Sequence, residues 1–542
     1  MNTVCERYMR DNPPRGVVCR IYQKSAVHRV SDYRYRADFN EIFPDSAIGD
    51  FVWLFTSYKS PCNGALTMAV NCFGPMNILV NGVSVFVSDI FCERNPDTPN
   101  VVHAKIHEGI NDISIRFEKT AAGFGGIFGT HIGKWNYIFL NPLDTTREGV
   151  LWGNLNETGG ELHPRLYYPS PKPLPSRLPV DEQFWQTGFP DTFWRPYYDE
   201  GLFGQWNYPL GVTLRGLMRF AILHASADIA LYVRAHLQMC IDTFEYALFD
   251  KAHYGGAASI HNLLAGIDSL DDCGSMGATL LEAKRTLSLQ GTERISDYVC
   301  DYIMNRQARR SDGAFWRKEQ MHSFQNETLW ADDLYMATSF LREKFIESGE
   351  RKYLEECFNQ FLRYKDYLYI PSQKLFSHVY DFRRGKATQV PWGRGNGWAL
   401  YSLCDVLAVA PNAPHELFEL FESLCEGVLA LQSDDGRWRQ VLSDSETYLE
   451  TSCSAMFIYA FLKGIRHSLL PKDGYASAAL RAWKSLKENA LDCDGNVLGV
   501  CTGSEFSFSK SYYASLGTRI NDTHGVGIVL AAACEIERYE NA

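Results

Sequence analysis

Hydrophobic and polar residues alternate along the first 150 or so positions of the chain. In Ile106–Glu118, the residues Ile113, Ile115 and Phe117 take turns with Asp112, Ser114, Arg116 and Glu118, the period of two of a strand with one wet face. Ile78-Leu79-Val80 and Val83 to Val87 flank Asn81-Gly82, the dipeptide favoured in a two-residue type I′ turn, so a hairpin is predicted there. These signals predict an antiparallel β-sandwich module over residues 1–163. Residues 164–199 read as a connection: Pro164–Pro196 holds eight of the 22 prolines, which fix φ and remove amide donors.

Beyond about residue 205 the period becomes 3.6. Ile295, Tyr298, Val299, Tyr302 and Ile303 form one helical stripe; Tyr353, Leu354, Cys357, Phe358, Phe361 and Leu362 form another; Leu417, Leu420, Phe421, Leu424 and Val428 a third. Between these amphipathic helices lie segments apolar nearly all round, Leu334–Leu341, Trp398–Val409, Ala455–Leu462 and Gly525–Cys534, which belong inside. A polar loop precedes each inner segment. Measured at Trp206, Asp272, Asp332, Arg394, Thr451 and Asp522, the loops recur at steps of 66, 60, 62, 57 and 71 residues. A near-constant step with two helices per repeat predicts six helical hairpins, and inner helices buried all round predict a closed ring. The expected fold is therefore mainly α, an (α/α)6 barrel over residues 200–542 preceded by the β-sandwich module. Its six polar loops would open on one end.

Those loops carry the candidate chemistry. Asp, Ser and Thr at helix starts are ordinary N-caps. Capping does not require Trp330, Trp392, Arg394, Asn396, Trp398, Glu450 and His524 beside them. Carboxylates, one fixed cation and several aromatics suit a pocket for an acidic sugar, with Arg394 able to clamp a carboxylate in bidentate fashion. An aromatic content of 13% fits the same reading. A Gly-x-Ser-x-Gly elbow and a phosphate-binding loop are both absent from the sequence, which argues against a serine hydrolase or an NTPase.

Composition narrows the field further. Hydrophobic residues make up 46% and charged residues 22%, ordinary values for a globular chain, and the net charge of −11 has the wrong sign for a nucleic-acid binder. Apolar stretches fall short of the roughly 20 residues a bilayer span needs, so no membrane partner is expected. The start, Met1–Gly16, carries no apolar stretch of a signal peptide, and a cytoplasmic location is the expectation. The 15 cysteines form no Cys-x-x-Cys pair and read as reduced thiols, and neither a metal nor another cofactor is expected.

Trp206-Asn207-Tyr208-Pro209-Leu210-Gly211, Leu270-Asp271-Asp272 with Gly277, Trp330-Ala331-Asp332-Asp333-Leu334-Tyr335-Met336, Trp392-Gly393-Arg394-Gly395-Asn396-Gly397-Trp398 and Glu450-Thr451-Ser452-Cys453-Ser454-Ala455 together resemble the unsaturated uronyl hydrolases of glycoside hydrolase family 105. The resemblance spans roughly residues 200 to 540 and implies the same (α/α)6 fold. It implies a substrate too: an oligosaccharide whose nonreducing end is a uronic acid with a C4=C5 double bond, cleaved by hydration of that vinyl ether. By this resemblance Asp332 is the acid that protonates C4, with a pKa raised by a buried, aromatic setting. Asp272 is the second carboxylate, with Asp271 as the alternative, and Asp333 caps or supports. The implied substrate contacts are Trp206, Tyr208, His322, His378, Trp392, Arg394, Asn396, Trp398 and His524, with Arg394 facing the uronate. Cys453 stands where the family commonly has glycine. A hydrolase of saturated β-glucuronides, an epimerase using His378 and His524, and a non-catalytic carbohydrate-binding protein are the rival readings.

Overall fold

The period-two segments form two antiparallel sheets in the computed structural model, which describes residues 1–16, 18–23, 27–29, 34–88, 100–121, 123–130, 139–142, 144–153, 155–156, 192–197, 202–254, 261–319 and 325–542. One sheet runs in the order Val27–Arg29, Tyr35–Asp38, Gly125–Thr130, Gly64–Cys72, Asn100–Ile106. The other runs Asp144–Glu148, Leu140–Asn141, Phe51–Ser60, Gly109–Glu118, Met76–Val80, Val83–Val87. Ile113, Ile115 and Phe117 share a core with Leu66, Met68 and Val102 of the first sheet. A one-residue slip of the Gly109–Glu118 strand would turn all three to water, so burial sets the register. The predicted hairpin is present, and Asn81 (φ 51°) and Gly82 (φ 76°) both take the left-handed conformation that a type I′ turn demands.

The helices, in chain order, are α1 (Asn2–Asp11), α2 (Tyr208–Leu223), α3 (Ala227–Tyr254), α4 (Asn262–Ala265), α5 (Gly274–Leu287), α6 (Glu293–Asp301), α7 (Asp332–Ser348), α8 (Lys352–Leu368), α9 (Gly393–Leu407), α10 (His415–Ala430), α11 (Thr451–Arg466), α12 (Tyr475–Asn489), α13 (Lys510–Ala514) and α14 (Thr523–Glu540). Helices α2, α5, α7, α9, α11 and α14 pack each on the next, and α14 packs back on α2. The ring is closed. Glycines bring its members together: a Cβ on Gly216 would stand 2.2 Å from the Gly527 carbonyl oxygen, and one on Gly274 only 1.5 Å from that of Met336. The apolar segments predicted to lie inside are buried within α7, α9, α11 and α14, while α6, α8, α10 and α12 lie against the ring with one wet face each. No helix among the described residues is long and apolar enough to cross a membrane.

Two compact units divide the chain, and neither is a single run of sequence. Met1–Arg15 groups with Glu200–Glu245 and Leu263–Ala542; the other unit comprises Gly16–Asp199 and Tyr246–Asn262. The reason is α1. Tyr8 meets Tyr232 of α3 edge to face at 6.2 Å, the Tyr232 hydroxyl donates to the Asn12 carbonyl, and the chain at Thr3 and Val4 closes on Gly495 just past α12. Helix α1 thus covers the ring beside its chain-terminal members, and the β-rich unit is inserted after it. Of the 164–199 connection, only Thr192–Tyr197, a strand paired with Val18–Gln23, lies within the described residues.

Candidate active site

Contacts between neighbouring inner helices gather their N-terminal ends in one place. Ser275 at the start of α5 donates to the Tyr208 carbonyl at the start of α2 (2.9 Å), and a Cβ on Gly393 of α9 would stand 2.8 Å from Cys453 Sγ of α11. At this end, Asp332, His378 and Trp392 converge on Gly395. From an ideal Gly395 Cβ, His378 Cδ2 lies at 3.4 Å, Asp332 Oδ2 at 3.5 Å and Trp392 Cε3 at 3.5 Å. The absence of a side chain at Gly395 keeps that space open.

His378 reaches this point from a short strand, Val379–Asp381, whose pairing with Thr328–Trp330 sets it beside the start of α7. Its backbone holds Ala331 and Val390, and its Nδ1 pairs with the Tyr513 hydroxyl at 2.7 Å. Nε2 is left facing Asp332 Oδ2, 3.2 Å away. Asp332 Oδ2, His378 Nε2 and the Trp392 indole nitrogen are all buried without a hydrogen-bond partner among the described residues. Three such atoms around one space are polar groups waiting for a ligand or water.

The electrostatics depart from the expectation for Asp332. Burial pushes its carboxyl up, but the neighbouring His378 imidazole and the Arg317 and Arg394 guanidiniums outweigh that, and its pKa lies below the ordinary carboxylate value. The anticipated upward shift is absent because the aromatic wall comes with cations. One of them, Arg317, lies outside the six loops and escaped the sequence reading. It donates to both oxygens of Asp333 (3.1 and 2.7 Å) and to Asp271 (3.1 Å), and its guanidinium lies 4.7 Å from the centre of the Trp330 ring. Asp333 is thus engaged in a buried ion pair, and burial holds its carboxyl up at about 6 against the pull of Arg317. Nothing in the sequence around Ala314–Lys318 marks Arg317 as special.

Asp271 and Asp272 take different partners. Asp272 folds back on its own loop, where Oδ2 accepts from the amides of Asp268 (3.2 Å) and Ser269 (3.3 Å), and burial with Asp268 nearby raises its pKa well above normal. Trp206 serves the same loop, its indole donating to the Asp272 carbonyl at 2.6 Å. Asp271 is the one whose carboxylate reaches Arg317 and whose charge acts on Tyr208.

Tyr208 and His524 come together across α2 and α14. The Tyr208 hydroxyl lies 2.5 Å from His524 Nε2, and His524 Nδ1 lies 2.5 Å from Asp522 Oδ1. Burial alone would raise the Asp522 carboxyl, but its bond to His524 brings it down to about 2. A carboxylate, an imidazole and a phenol in line form a route for a proton.

Three expected substrate contacts turn elsewhere. Asn396 accepts from the Phe376 amide (2.8 Å) and donates to the carbonyls of Phe376 (2.8 Å) and Trp392 (3.0 Å), clipping strand Leu375–Phe376 to α9. Trp398 stacks on Tyr335 at 4.2 Å inside the ring, because the second turn of α9 already faces its core. Arg394 gives Nη1 and Nη2 to the carbonyls of Cys501 (2.6 Å) and Thr502 (2.7 Å) and lies 4.9 Å from the centre of the Trp392 ring, so two of its five N–H donors go to backbone. Glu450 N-caps α11 through Ser452 and Cys453. His322 lies outside the described residues. Cys453, in the place of a glycine, packs against Gly393, and burial pushes its thiol up, which leaves it inert.

A family model described as Glycosyl Hydrolase Family 88 matches residues 196–540. A protein described as an unsaturated 3S-rhamnoglycuronyl hydrolase, from Formosa agariphila, is 31% identical over 185 residues, covering 31% of this chain and 48% of that protein. Another of the same description, from Alteromonas sp., is 27% identical over 216 residues, 38% of this chain and 50% of that protein. The chain thus spans about half the length of these curated relatives. A solved structure from Salmonella enterica serovar Paratyphi A, described as a possible member of the GH105 family, superposes with a TM-score of 0.54 at 18% identity, over 66% of this chain and 88% of that one. That similarity is one of fold.

Proposed function

This chain belongs to glycosyl hydrolase family 88, and from that premise we propose that it removes a 4,5-unsaturated uronic acid from the nonreducing end of lyase-made oligosaccharides. The observation that carries the reading is Asp332 at the head of α7, its Oδ2 without a hydrogen-bond partner, facing His378 Nε2 under the edge of Trp392. Curated relatives described as unsaturated 3S-rhamnoglycuronyl hydrolases support the same substrate class. In this reading the closed helical ring is an (α/α)6 toroid, the site sits at its open end, and the β-rich unit is an accessory.

The reaction is a hydration. Protonated Asp332 gives its proton to C4, and the C4=C5 electrons form the new C–H bond, leaving an oxocarbenium centre at C5. Water adds at C5, and its proton passes to the Asp332 carboxylate or to the Tyr208 hydroxyl, which relays its own proton to His524 Nε2 against the Asp522 carboxylate. The hemiketal then opens to a C5 ketone, and the hemiacetal left at C1 expels the next sugar. Asp332 is ionised in the free protein, so it must gain its proton as substrate binds. The uronate supplies the cause, since a second carboxylate brought close raises the first. His378 and the Trp392 wall orient Asp332 and exclude bulk water from the oxocarbenium centre.

The test is loss of the absorbance of the conjugated uronate, using lyase-made fragments of pectin, rhamnogalacturonan and glucuronan-type polymers, with wild type and Asp332→Asn. Decay with wild type and none with Asp332→Asn is the expected result. Cleavage of a saturated β-glucuronide, with every unsaturated fragment left intact, would replace the reading.

A further inference from the structure

The C-terminal ends of the inner helices meet at the other end of the ring, around a cavity of about 360 Å³. All six helices bring charge to it. Arg219 of α2, Arg342 of α7, Lys463 and Arg466 of α11 and Arg538 of α14 line the space, against only Glu282 of α5 and Glu535 of α14. Behind them stand Arg215, Glu343 and Asp405, the last contributed by α9. With these counted, cations still outnumber carboxylates by two. Taking unneutralised charge out of water is costly, and in a chain whose net charge is −11 such an excess does not reflect composition.

Most carboxylate oxygens here are engaged, Glu343 taking Arg342 as well as Arg215, although Asp405 Oδ2 has no hydrogen-bond partner among the described residues. Glu282 takes Arg215 and both ends of Arg219, while Glu535 takes Arg466 and Arg538. Asp405 holds Lys463 and stands 3.9 Å from Arg219 and 3.8 Å from Arg342. Arg342 Nε and Arg215 Nη1 are buried donors with no acceptor among the described residues. Helix C-termini favour nearby cations, but these side chains reach across the ring to carboxylates and to the Tyr401 and Tyr459 phenols instead of capping carbonyls. The mouth is open to solvent, with the Arg466 and Arg538 side chains about one-third exposed at 37% and 34%.

We propose that this cavity is a binding site for a small doubly charged oxyanion of the phosphate or sulfate type, separate from the sugar site. Arg342 and Lys463 would hold the anion from inside, and Arg466 and Arg538 from the mouth. Guanidinium groups match tetrahedral oxyanions by paired N–H donors, and an ammonium adds a point charge.

The test uses the intact protein with inorganic phosphate and inorganic sulfate, against chloride at matched ionic strength, read by titration calorimetry and thermal unfolding. Ile222 lines the cavity, is 48% exposed and belongs to no ion pair, so Ile222→Glu adds a negative charge without orphaning a partner. Wild type should give saturable heats with either dianion and a rise in Tm absent in chloride. Ile222→Glu should weaken that binding at least about tenfold while its Tm in chloride and its turnover match wild type. Saturable heats with one dianion alone would assign the site to that anion. Absence of saturable heat in wild type, or equal binding by Ile222→Glu, would overturn the proposal; a Tm rise shared by both proteins without heat is general salting and counts against it too.

Discussion

Replacing Arg317 by methionine tests how the candidate site is held together. The guanidinium is 6% exposed and the Asp333 it clasps 2%, so the variant leaves a buried carboxylate without its cation. Removing one partner of such a pair costs about 3–5 kcal/mol. At about 2.1 cal/mol/K of unfolding entropy per residue, a unit of roughly 340 residues loses about 1.4 °C per kcal/mol, so Tm should fall by roughly 4–7 °C. The charge has an escape. Burial already holds the Asp333 carboxyl up at about 6, above its ordinary 3.8, and losing Arg317 removes the group that pulls it down. An acid whose folded pKa is raised binds more protons folded than unfolded, so its contribution to stability falls as pH rises from 3.8 through about 6. In the variant that window extends further upward. The stability deficit should therefore be small near about pH 5 and large near about pH 8, and Asp333→Asn added to Arg317→Met should recover most of it. Thermal unfolding of wild type, both single variants and the double variant at the two pH values measures this. An equal deficit at both pH values, with no recovery in the double variant, would mean that Arg317 acts through its packing on Trp330 and would refute the pairing argument.

Other outcomes follow from single contacts. His378→Gln removes the neighbour that holds Asp332 down, so in the absorbance assay the limb where kcat/KM falls with rising pH should move to higher pH; an unmoved limb would separate the two residues. Asp271→Asn should cut kcat/KM by about a hundredfold, while Asp272→Asn, replacing a carboxyl whose pKa burial raises and whose Oδ2 is held by loop amides, should leave it within about threefold; the reverse order would restore Asp272 as the second carboxylate. Asn396→Ala strands the Phe376 amide and carbonyl and should lower stability by about 2–3 kcal/mol in denaturant melts, with turnover per folded molecule unchanged. Gly274→Ala would press a methyl to within 1.5 Å of the Met336 carbonyl oxygen and should yield little folded protein, which soluble expression and circular dichroism would show.

Local pattern carried much of the architecture. The hairpin at Asn81-Gly82 was legible because a type I′ turn needs two consecutive residues at positive φ, a demand that few dipeptides meet. Inner and outer helices were separable because a helix apolar all round has nowhere to go but inside, as Ala455–Leu462 does in α11. The meeting of Asp332, His378 and Trp392 was foreseeable only as membership of one barrel end, through the motifs around them.

What those motifs left open was direction. Arg394, Asn396 and Trp398 occupy three places within one helical turn and a half, and 3.6-residue geometry sends them to a neighbouring strand, a strand clip and the ring core. Only the tertiary partners decide which of these faces a ligand. The same holds for Asp271 and Asp272, adjacent in sequence, where the loop amides of Asp268 and Ser269 capture one and Arg317 captures the other. Arg317 itself, the packing of α1 beside α3 across an inserted β-rich unit, and the charged cavity at the far end of the ring depend on contacts between segments tens to hundreds of residues apart. The sequence by itself determined periodicity, turns and the list of reactive side chains, since these follow from the backbone and its nearest neighbours. Only the folded structure decided which of those side chains keep a polar atom unspent, because that depends on what distant segments bring to meet them.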